Sequence, residues 1–194
     1  MPTRTDTTAE MARCHNRSEA GLDSSFHRAR SNSGLFFFAK NDIYATIELM
    51  KELFVTTNSA QTRKLGEILA KELKGGEIIC LTGELGSGKT TFAQGVLKGL
   101  GAKGPYTSPT FVVMKLYKRK TTVKGSKIKS VYHIDAYRVN GQDIIDLGWE
   151  EIVASKNNII ILEWAERIKG IIPKKAVWLK FDHLKEDERK IKVN

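Results

Sequence analysis

A glycine-rich segment with the spacing G-x-x-x-x-G-K-T runs from Gly83 to Thr90 and is the clearest candidate for chemistry. Glycines in such a loop let successive backbone N–H groups turn toward phosphate oxygens, and the following helix adds a favourable dipole. We expect Lys89 to reach the β- and γ-phosphates and the Thr90 hydroxyl to ligate Mg²⁺. A ligand-free glycine turn is disfavoured by the apolar strand 78–81 before the loop and the helix-compatible segment 91–97 after it. The spacing predicts a nucleoside triphosphate site.

Two carboxylates, Asp135 and Glu163, follow segments that we predict as strands. In phosphate-loop enzymes a carboxylate at the end of a buried strand holds Mg²⁺ or its waters. Glu163 follows the four aliphatic residues 159–162, so its charge would be costly to bury without a partner such as a cation. Asp135 follows the mixed segment 131–134. The sequence leaves both open as metal-site residues, the alternative for each being a strand end that has reached solvent.

Three further side chains near these positions have weaker signals. Thr110 ends the turn 108–110, beyond Lys89, where nucleotide-sensing loops commonly place a hydroxyl near the γ-phosphate. Such a turn is also common without any ligand. For His133 two interpretations are equal: a residue of the site, or an ordinary strand residue whose side chain is hydrogen-bonded within the fold. We interpret Trp164, next to the second carboxylate, as a core side chain.

The segment 115–129 holds seven basic residues and no acidic one. It lies in a predicted β-hairpin with strands at 111–117 and 128–134 and a turn near 125–126. A basic ribbon of this kind suits a nucleic-acid backbone. Lysines on an edge hairpin also prevent strand-to-strand aggregation. Direct RNA contact and protection of an edge therefore remain equal alternatives.

The elements that must position these groups follow an α/β order. A strand at 78–82, the loop and a helix ending near Leu100 form the opening of a nucleotide-binding sheet. The remaining predicted elements are a strand at 52–56, a helix from a capping box at 58–61 to residue 73, a helical segment at 143–153, and strands at 158–164 and 176–181. We expect an α/β, phosphate-loop NTPase-like three-layer sandwich with a mainly parallel central sheet and a β-hairpin insertion.

Composition limits the class of protein. A chain of 194 residues with 41% hydrophobic content can bury one ordinary core. Its longest purely apolar segments have about five residues, against the roughly 20 that a membrane span needs. Cys14 and Cys80 are too few for a disulfide framework. We therefore expect a cytoplasmic protein.

Residues 1–49 differ from the rest of the chain. They hold six basic and six acidic residues, so the net charge of +10 falls entirely on 50–194. They are polar and lack periodicity until about Asn41, which predicts disorder. The six acidic residues argue against a transit peptide. We interpret 1–49 as a non-functional extension and 50–194 as the domain, opening at Met50.

Four segments in one order, 83–91, 108–111, 133–138 and 163–164, resemble the TsaE family, also called YjeE. The resemblance covers essentially residues 51–192. It implies a small bacterial ATPase required, with the TsaB and TsaD proteins, for the threonylcarbamoyl modification of adenosine beside the anticodon in tRNAs that read codons starting with A. It also implies ATP and Mg²⁺ as cofactors and a TsaB–TsaD-like complex as the partner.

The same resemblance implies a role for each matching residue. Thr90 and Glu163 would hold Mg²⁺, and Asp135 would be the further acidic residue at the hydrolysis site, acting with Lys89. In relatives the segment at Asn58 and Ser59 approaches the nucleotide, although a helix cap already explains it, and a late basic residue, here Arg189, is a weaker candidate. The nucleotide-contacting set would be Ser59, Gly86, Ser87, Gly88, Lys89, Thr90, Thr91 and Thr110.

Three other function classes remain as alternatives. A small-molecule phosphate-loop kinase shares the loop but needs an acceptor pocket and an arginine-rich lid, and arginine is scarce here. A GTPase switch usually carries N-K-x-D, which the sequence lacks. A basic RNA-binding module with a vestigial nucleotide site is disfavoured by the intact Lys89, Thr90 and Glu163. An ATP-hydrolysing subunit of a tRNA-modifying assembly is the leading hypothesis, with the kinase as the alternative.

Overall fold

A seven-stranded sheet organises the residues that the computed structural model describes, 53–119 and 127–193. The predicted extension 1–49 lies outside them. The strands are β1 (Leu53–Thr56), β2 (Ile78–Thr82), β3 (Met114–Lys118), β4 (Ser130–Asp135), β5 (Asn158–Glu163), β6 (Val177–His183) and β7 (Arg189–Val193). The helices are α1 (Ser59–Ala70), α2 (Lys89–Gly99), α3 (Gly141–Asp146) and α4 (Trp149–Ala154), followed by a 3₁₀ segment (Ala165–Ile171).

The sheet is mixed rather than mainly parallel. Its strand order is β1-β7-β6-β2-β5-β4-β3. The four central strands, β6, β2, β5 and β4, pair in parallel, whereas β1 with β7, β7 with β6, and β4 with β3 pair antiparallel. Strand β7 was not predicted from the sequence, because Arg189, Lys190 and Lys192 give it a polar composition. Its residues Ile191 and Val193 are nevertheless buried.

Successive side chains of β2 point to opposite faces of the sheet, and a separate hydrophobic cluster lies on each face. Ile79 and Leu81 belong to the cluster that includes the buried side chains of α1 and α2. Ile78 and Cys80 belong to the cluster that includes α3, α4 and the 3₁₀ segment. Each fully buried aliphatic side chain stabilises the fold by roughly 1.5–3 kcal/mol. Helices therefore cover both faces of the central strands.

Helix α1 begins where the capping pattern predicts. The side chain of Asn58 accepts a hydrogen bond from the Gln61 N–H at 2.9 Å. The Gln61 side chain in turn accepts from the backbone N–H of Thr57 at 2.8 Å, one residue earlier than a capping box requires. The helix ends at Ala70 rather than at 73. Past that point the Glu77 carboxylate accepts from two backbone N–H groups and fixes a turn instead.

Two glycines bring α1 against α2. A Cβ on Gly66 would lie 2.3 Å from the carbonyl oxygen of Phe92, and one on Gly95 would lie 2.0 Å from that of Arg63. Both distances are far below a normal contact, so the two helix backbones approach where a side chain cannot fit. This close packing places α1 beside the helix that the phosphate loop opens.

The predicted hairpin is present as the antiparallel pair β3 and β4. Its connection, 120–126, lies outside the described residues. Strand β3 begins at Met114 rather than at 111, because Val113 adopts a left-handed φ of 62° that interrupts an extended strand. The predicted helical segment at 143–153 is divided by Gly148, whose φ is 85°. Within the described ranges, no helix is both long and apolar enough to cross a membrane.

Candidate functional site

The loop 83–88, predicted from its glycine spacing as a phosphate loop and so named below, connects the buried strand β2 to the first residue of α2. Gly83, Gly86 and Gly88 have φ values of 128°, 77° and 103°, in the region that favours glycine. At Gly83 a Cβ would also lie 2.1 Å from the carbonyl oxygen of Phe181 on β6. The loop therefore needs glycine both for its curl and for its contact with the neighbouring strand.

Lys89 is almost completely buried where the loop enters α2. Its Nζ donates to the carbonyl oxygens of Gly83, at 2.6 Å, and Glu84, at 2.8 Å. The same Nζ lies 3.9 Å from the centroid of the Trp164 ring, a cation–π contact. Burial lowers the pKa of the Lys89 ammonium, while nearby carboxylates, Glu163 foremost, act in the opposite direction. These contacts hold a cation at the base of the loop.

The two predicted carboxylates lie side by side at the carboxyl end of the sheet. Asp135 ends β4 and Glu163 ends β5, and the two residues are direct partners in the parallel register. Their exposed fractions are 3% and 2%, so neither is a strand end that has reached solvent. The β4 and β5 register therefore brings two buried acids to one edge, next to the phosphate loop.

Glu163 is held from two sides. Its Oε2 accepts a hydrogen bond from Thr90 Oγ1 at 2.6 Å. Its Oε1 lies 2.7 Å from Nε2 of His133, a side chain with no solvent exposure. The loop threonine and the strand carboxylate, which are 73 positions apart in the sequence, are therefore in direct contact.

Asp135 has a different set of partners. Its Oδ2 accepts from Thr110 Oγ1 at 2.5 Å, and its Oδ1 accepts from the backbone N–H of Tyr137 at 2.9 Å. Thr110 Oγ1 also lies 2.6 Å from Ser108 Oγ. The turn predicted as a nucleotide-sensing loop is therefore tied directly to the second acid.

A cavity of about 330 Å³ opens over these groups. Its lining residues are Leu85, Gly86, Gly88, Lys89, Thr90, Thr91, Thr110, Asp135, Tyr137, Arg138, Glu163 and Trp164. Most of the predicted site residues therefore share one cavity.

Three predicted residues lie outside that lining. Ser59 is exposed in the first turn of α1, where the neighbouring Asn58 provides the cap. Ser87 is buried within the loop, and its Oγ has no hydrogen-bond partner among the described residues. Arg189 approaches the loop from β7, with its Nε 3.6 Å from the position a Cβ on Gly88 would take.

Several contributors to the site were not predicted from the sequence. Trp164 packs against the core, as predicted, but its left-handed φ of 58° also accompanies contacts of its ring with Lys89 Nζ, 3.9 Å from the centroid, and with the Tyr137 ring, 4.8 Å away. Tyr137 and Arg138 also line the cavity. His133 contacts Glu163, and the available signal was its position two residues before Asp135, which places both side chains on one strand face.

The oxygen groups at this site suit Mg²⁺. Thr90 and Glu163 present hard oxygen ligands 2.6 Å apart beside the buried Lys89. Across the described parts of the chain, no group of three or more His, Cys, Asp or Glu side chains is arranged to hold a metal ion by itself. Magnesium in nucleotide sites typically takes only one or two protein ligands, with phosphates and waters supplying the rest. The residues therefore fit a magnesium ion that arrives with a nucleotide.

Comparison with known proteins identifies a family for this chain. The family model described as "Threonylcarbamoyl adenosine biosynthesis protein TsaE" matches residues 56–191. The tRNA threonylcarbamoyladenosine biosynthesis protein TsaE of Aquifex aeolicus is 38% identical over 149 residues, which are 76% of this chain and 98% of the relative. The protein of the same name from Bacillus subtilis is 32% identical over 143 residues, 73% of this chain and 85% of the relative.

A solved structure is similar as well. The crystal structure of Bacillus subtilis YdiB aligns with a TM-score of 0.57 at 27% identity, covering 73% of this chain and 83% of that one. The family model spans more than half of the chain and includes the phosphate loop, both acids and Thr110. This chain belongs to the TsaE family of tRNA threonylcarbamoyladenosine biosynthesis proteins.

Proposed function

We propose that this protein is a cytoplasmic, Mg-dependent subunit that binds and hydrolyses ATP for the threonylcarbamoyl modification of the tRNA adenosine next to the anticodon. The observation that carries the proposal is the 2.6 Å contact between Thr90 and Glu163, at the mouth of a phosphate loop whose lysine is buried beside them. A hydroxyl and a buried carboxylate in this position are the protein ligands that a phosphate-bound magnesium ion uses. The names of the relatives support the pathway.

Each group has a distinct task in this proposal. The backbone N–H groups of 86–91 and the Lys89 ammonium bind the phosphates, and Thr90 with Glu163 holds the metal. When bound, Mg²⁺ would neutralise charge that develops on the phosphate oxygens. The low exposure of Lys89 strengthens its electrostatic attraction to phosphate, and that of Glu163 strengthens its attraction to the metal ion, because water screens buried charges less.

Asp135 is the group best placed to orient the attacking water. Its two donors, the hydroxyl of Thr110 and the N–H of Tyr137, fix the plane of the carboxylate. A carboxylate oxygen accepts more than one hydrogen bond, so each oxygen retains capacity for a water. Because Thr110 belongs to an exposed turn, the same contact offers a route from the hydrolysis site to a partner.

We propose a TsaB–TsaD-like complex as that partner. Phe111 and Val112, which follow Thr110, are 85% and 57% exposed, and the Arg138 guanidinium lies 5.1 Å from the Phe111 ring centroid. Large exposed apolar side chains beside a site are typical of protein interaction surfaces. The turn can therefore report the occupancy of the cavity to a protein docked on Phe111 and Val112.

Direct contact with tRNA through segment 115–129 is a further part of the proposal. In the described part of that segment, Lys118, Lys127 and Lys129 are exposed and available to phosphates. Lys115 instead braces the turn, contacting Thr107 and donating to the carbonyl of Ser108 at 3.1 Å. The lysines at 120 and 124 lie outside the described residues.

The small-molecule kinase alternative has less support. An arginine-rich lid over the transferred phosphate is a common feature of such kinases, and Arg138 is the only arginine among the residues that line the cavity. The cavity volume of about 330 Å³ is at the low end for a single ligand and leaves little space for a second substrate.

The direct test is ATP hydrolysis by the purified protein, alone and with TsaB, TsaD and tRNA. We expect slow turnover alone and a marked increase with the complete set. The Lys89→Ala variant is the control for contaminating ATPases. Equal hydrolysis by that variant, or phosphorylation of a small metabolite in place of hydrolysis, would contradict the proposal.

A further inference from the structure

A fully buried histidine holds the carboxylate that the proposed function assigns to the metal. His133 lies on β4, directly opposite Ile161 in the parallel register with β5. Its Nε2 is 2.7 Å from Glu163 Oε1, and both side chains are almost free of solvent contact. We infer that His133 is a positioning residue that orients Glu163 so that Oε2 faces Thr90 and a phosphate-bound metal ion. This inference rests on the proposed function.

The direction of the hydrogen bond follows from the partners. An ionised carboxylate can only accept, so the His133 ring must donate from Nε2. The other ring nitrogen, Nδ1, is buried and has no hydrogen-bond partner among the described residues. A hydrogen on Nδ1 would be a buried donor without an acceptor, which is costly. Of the two ring tautomers, the geometry therefore selects the one with hydrogen on Nε2.

The two oxygens of Glu163 are thereby given different tasks. Oε1 is taken up by His133, whereas Oε2 receives the Thr90 hydroxyl from the first turn of α2. The terminal torsion of a glutamate side chain has only broad preferences of its own. Without the ring, rotation about that torsion would carry Oε2 away from the loop. A bond from a rigid strand residue removes this freedom before any metal binds.

Hydrogen bonds to metal-binding carboxylates commonly determine metal affinity. Removing such an outer partner typically costs about 10–100-fold in metal affinity or activity. A merely structural histidine would behave differently, because its loss would lower stability without changing the Mg²⁺ concentration that nucleotide binding requires. These two expectations can be separated with variants at the same position.

Glutamine and asparagine provide the matched pair. The amide nitrogen of glutamine is as many bonds from Cα as Nε2 of histidine, so His133→Gln keeps a donor where Glu163 needs it. The amide nitrogen of asparagine corresponds instead to Nδ1, so His133→Asn places its donor away from Glu163. His133→Ala removes the donor altogether. All three side chains fill less of the buried site than the histidine ring does, so all three are expected to lower the melting temperature.

The experiment is a titration of a fluorescent ATP analogue with the full chain at a series of Mg²⁺ concentrations, with a thermal melt of each variant. We expect wild-type protein and His133→Gln to need similar Mg²⁺ for half-maximal binding. His133→Asn and His133→Ala should need about tenfold more. The same Mg²⁺ requirement in every folded variant would overturn the inference while leaving the proposed function intact. A wild-type protein without Mg²⁺-dependent binding would overturn both.

A second measurement does not depend on the variants folding. Nitrogen-15 NMR of the histidine rings distinguishes hydrogen on Nε2 from hydrogen on Nδ1. We expect the His133 ring of the wild-type protein to carry its hydrogen on Nε2, bonded to Glu163. A ring with hydrogen on Nδ1 and none on Nε2 would overturn the inference, because Nε2 could then not donate to Oε1.

Discussion

Thr110 donates its hydroxyl hydrogen to Asp135 Oδ2 at 2.5 Å, joining an exposed turn to a buried acid at the end of β4. Replacing Thr110 by Ala removes the connection without touching the phosphate loop. We expect ATP affinity to be largely preserved while the effect of ATP on complex formation is lost. Co-elution with the TsaB–TsaD-like partner, measured with an ATP analogue, with ADP and without nucleotide, checks this. Wild-type co-elution that is the same in all three conditions would contradict the mechanism.

Substitutions of Asp135 and Glu163 should have different effects on nucleotide binding and on hydrolysis. Glu163→Ala removes a proposed metal ligand, so Mg²⁺-dependent nucleotide binding should weaken, as it should for Thr90→Ala. Asp135→Asn keeps the shape of the side chain but loses the charge that orients water, so hydrolysis should fall more than binding. Binding titrations and turnover assays on the same preparations separate the two. If Asp135→Asn binds poorly while Glu163→Ala turns over normally, the two roles must be exchanged.

The close approach of α1 and α2 predicts a site of unusual sensitivity. Gly66→Ala would place its methyl carbon 2.3 Å from the carbonyl oxygen of Phe92. The methyl carbon is attached to the backbone of α1 and the oxygen belongs to the backbone of α2, so relieving the clash requires a helix to shift. Overpacking of this kind costs about 1–3 kcal/mol in the free energy of unfolding. Gly170→Ala is the matched control, because a Cβ there meets nothing within 4 Å. Urea denaturation should show a lower midpoint for the first variant only.

The lowered pKa of Lys89 predicts a pH dependence with a definite sign. Its ordinary value is 10.5, and burial moves the value in the folded protein below this. At a pH between the folded and unfolded pKa values, the unfolded chain binds more protons than the folded protein. The contribution of Lys89 to the free energy of unfolding therefore rises with pH. Wild-type protein should therefore gain stability relative to Lys89→Met as pH approaches 10.5. Denaturation of both proteins over that range measures the difference, and a constant difference would contradict the assignment.

The strongest local patterns in the sequence were sufficient for the centre of the fold. Strand β2 was predicted with its observed bounds, Ile78–Thr82, because an apolar segment is followed directly by glycines that cannot extend it. The pairing of β3 with β4 was confirmed as well. The antiparallel edge could not be predicted. The charged residues of β7 obscure its alternation of buried and exposed positions, and this alternation depends on the pairing of β7 with β6.

The site was predictable in its residue types but not in its contacts. The loop motif predicted Thr90, and the strand ends predicted Asp135 and Glu163, as candidates for a metal site, and the structure brings Thr90 and Glu163 into contact. The hydrogen bond between His133 and Glu163 depends on the register of β4 against β5. Local residue spacing does not determine the register of two strands that are far apart in the sequence. The position of Trp164 depends on a left-handed backbone conformation that non-glycine residues rarely adopt.

The most direct measurement of the central claim is the titration of a fluorescent ATP analogue with wild-type protein and Lys89→Ala, each with Mg²⁺ and with a chelator. Lys89 is buried beside Glu163 and bonded to the loop carbonyls, so it is the cation placed to meet the phosphates. A charge-assisted hydrogen bond to phosphate contributes about 1.5–3 kcal/mol, so its loss should weaken binding roughly 10- to 150-fold. We expect tight binding only for wild-type protein with Mg²⁺. Unchanged affinity in Lys89→Ala would show that the loop is not the nucleotide site.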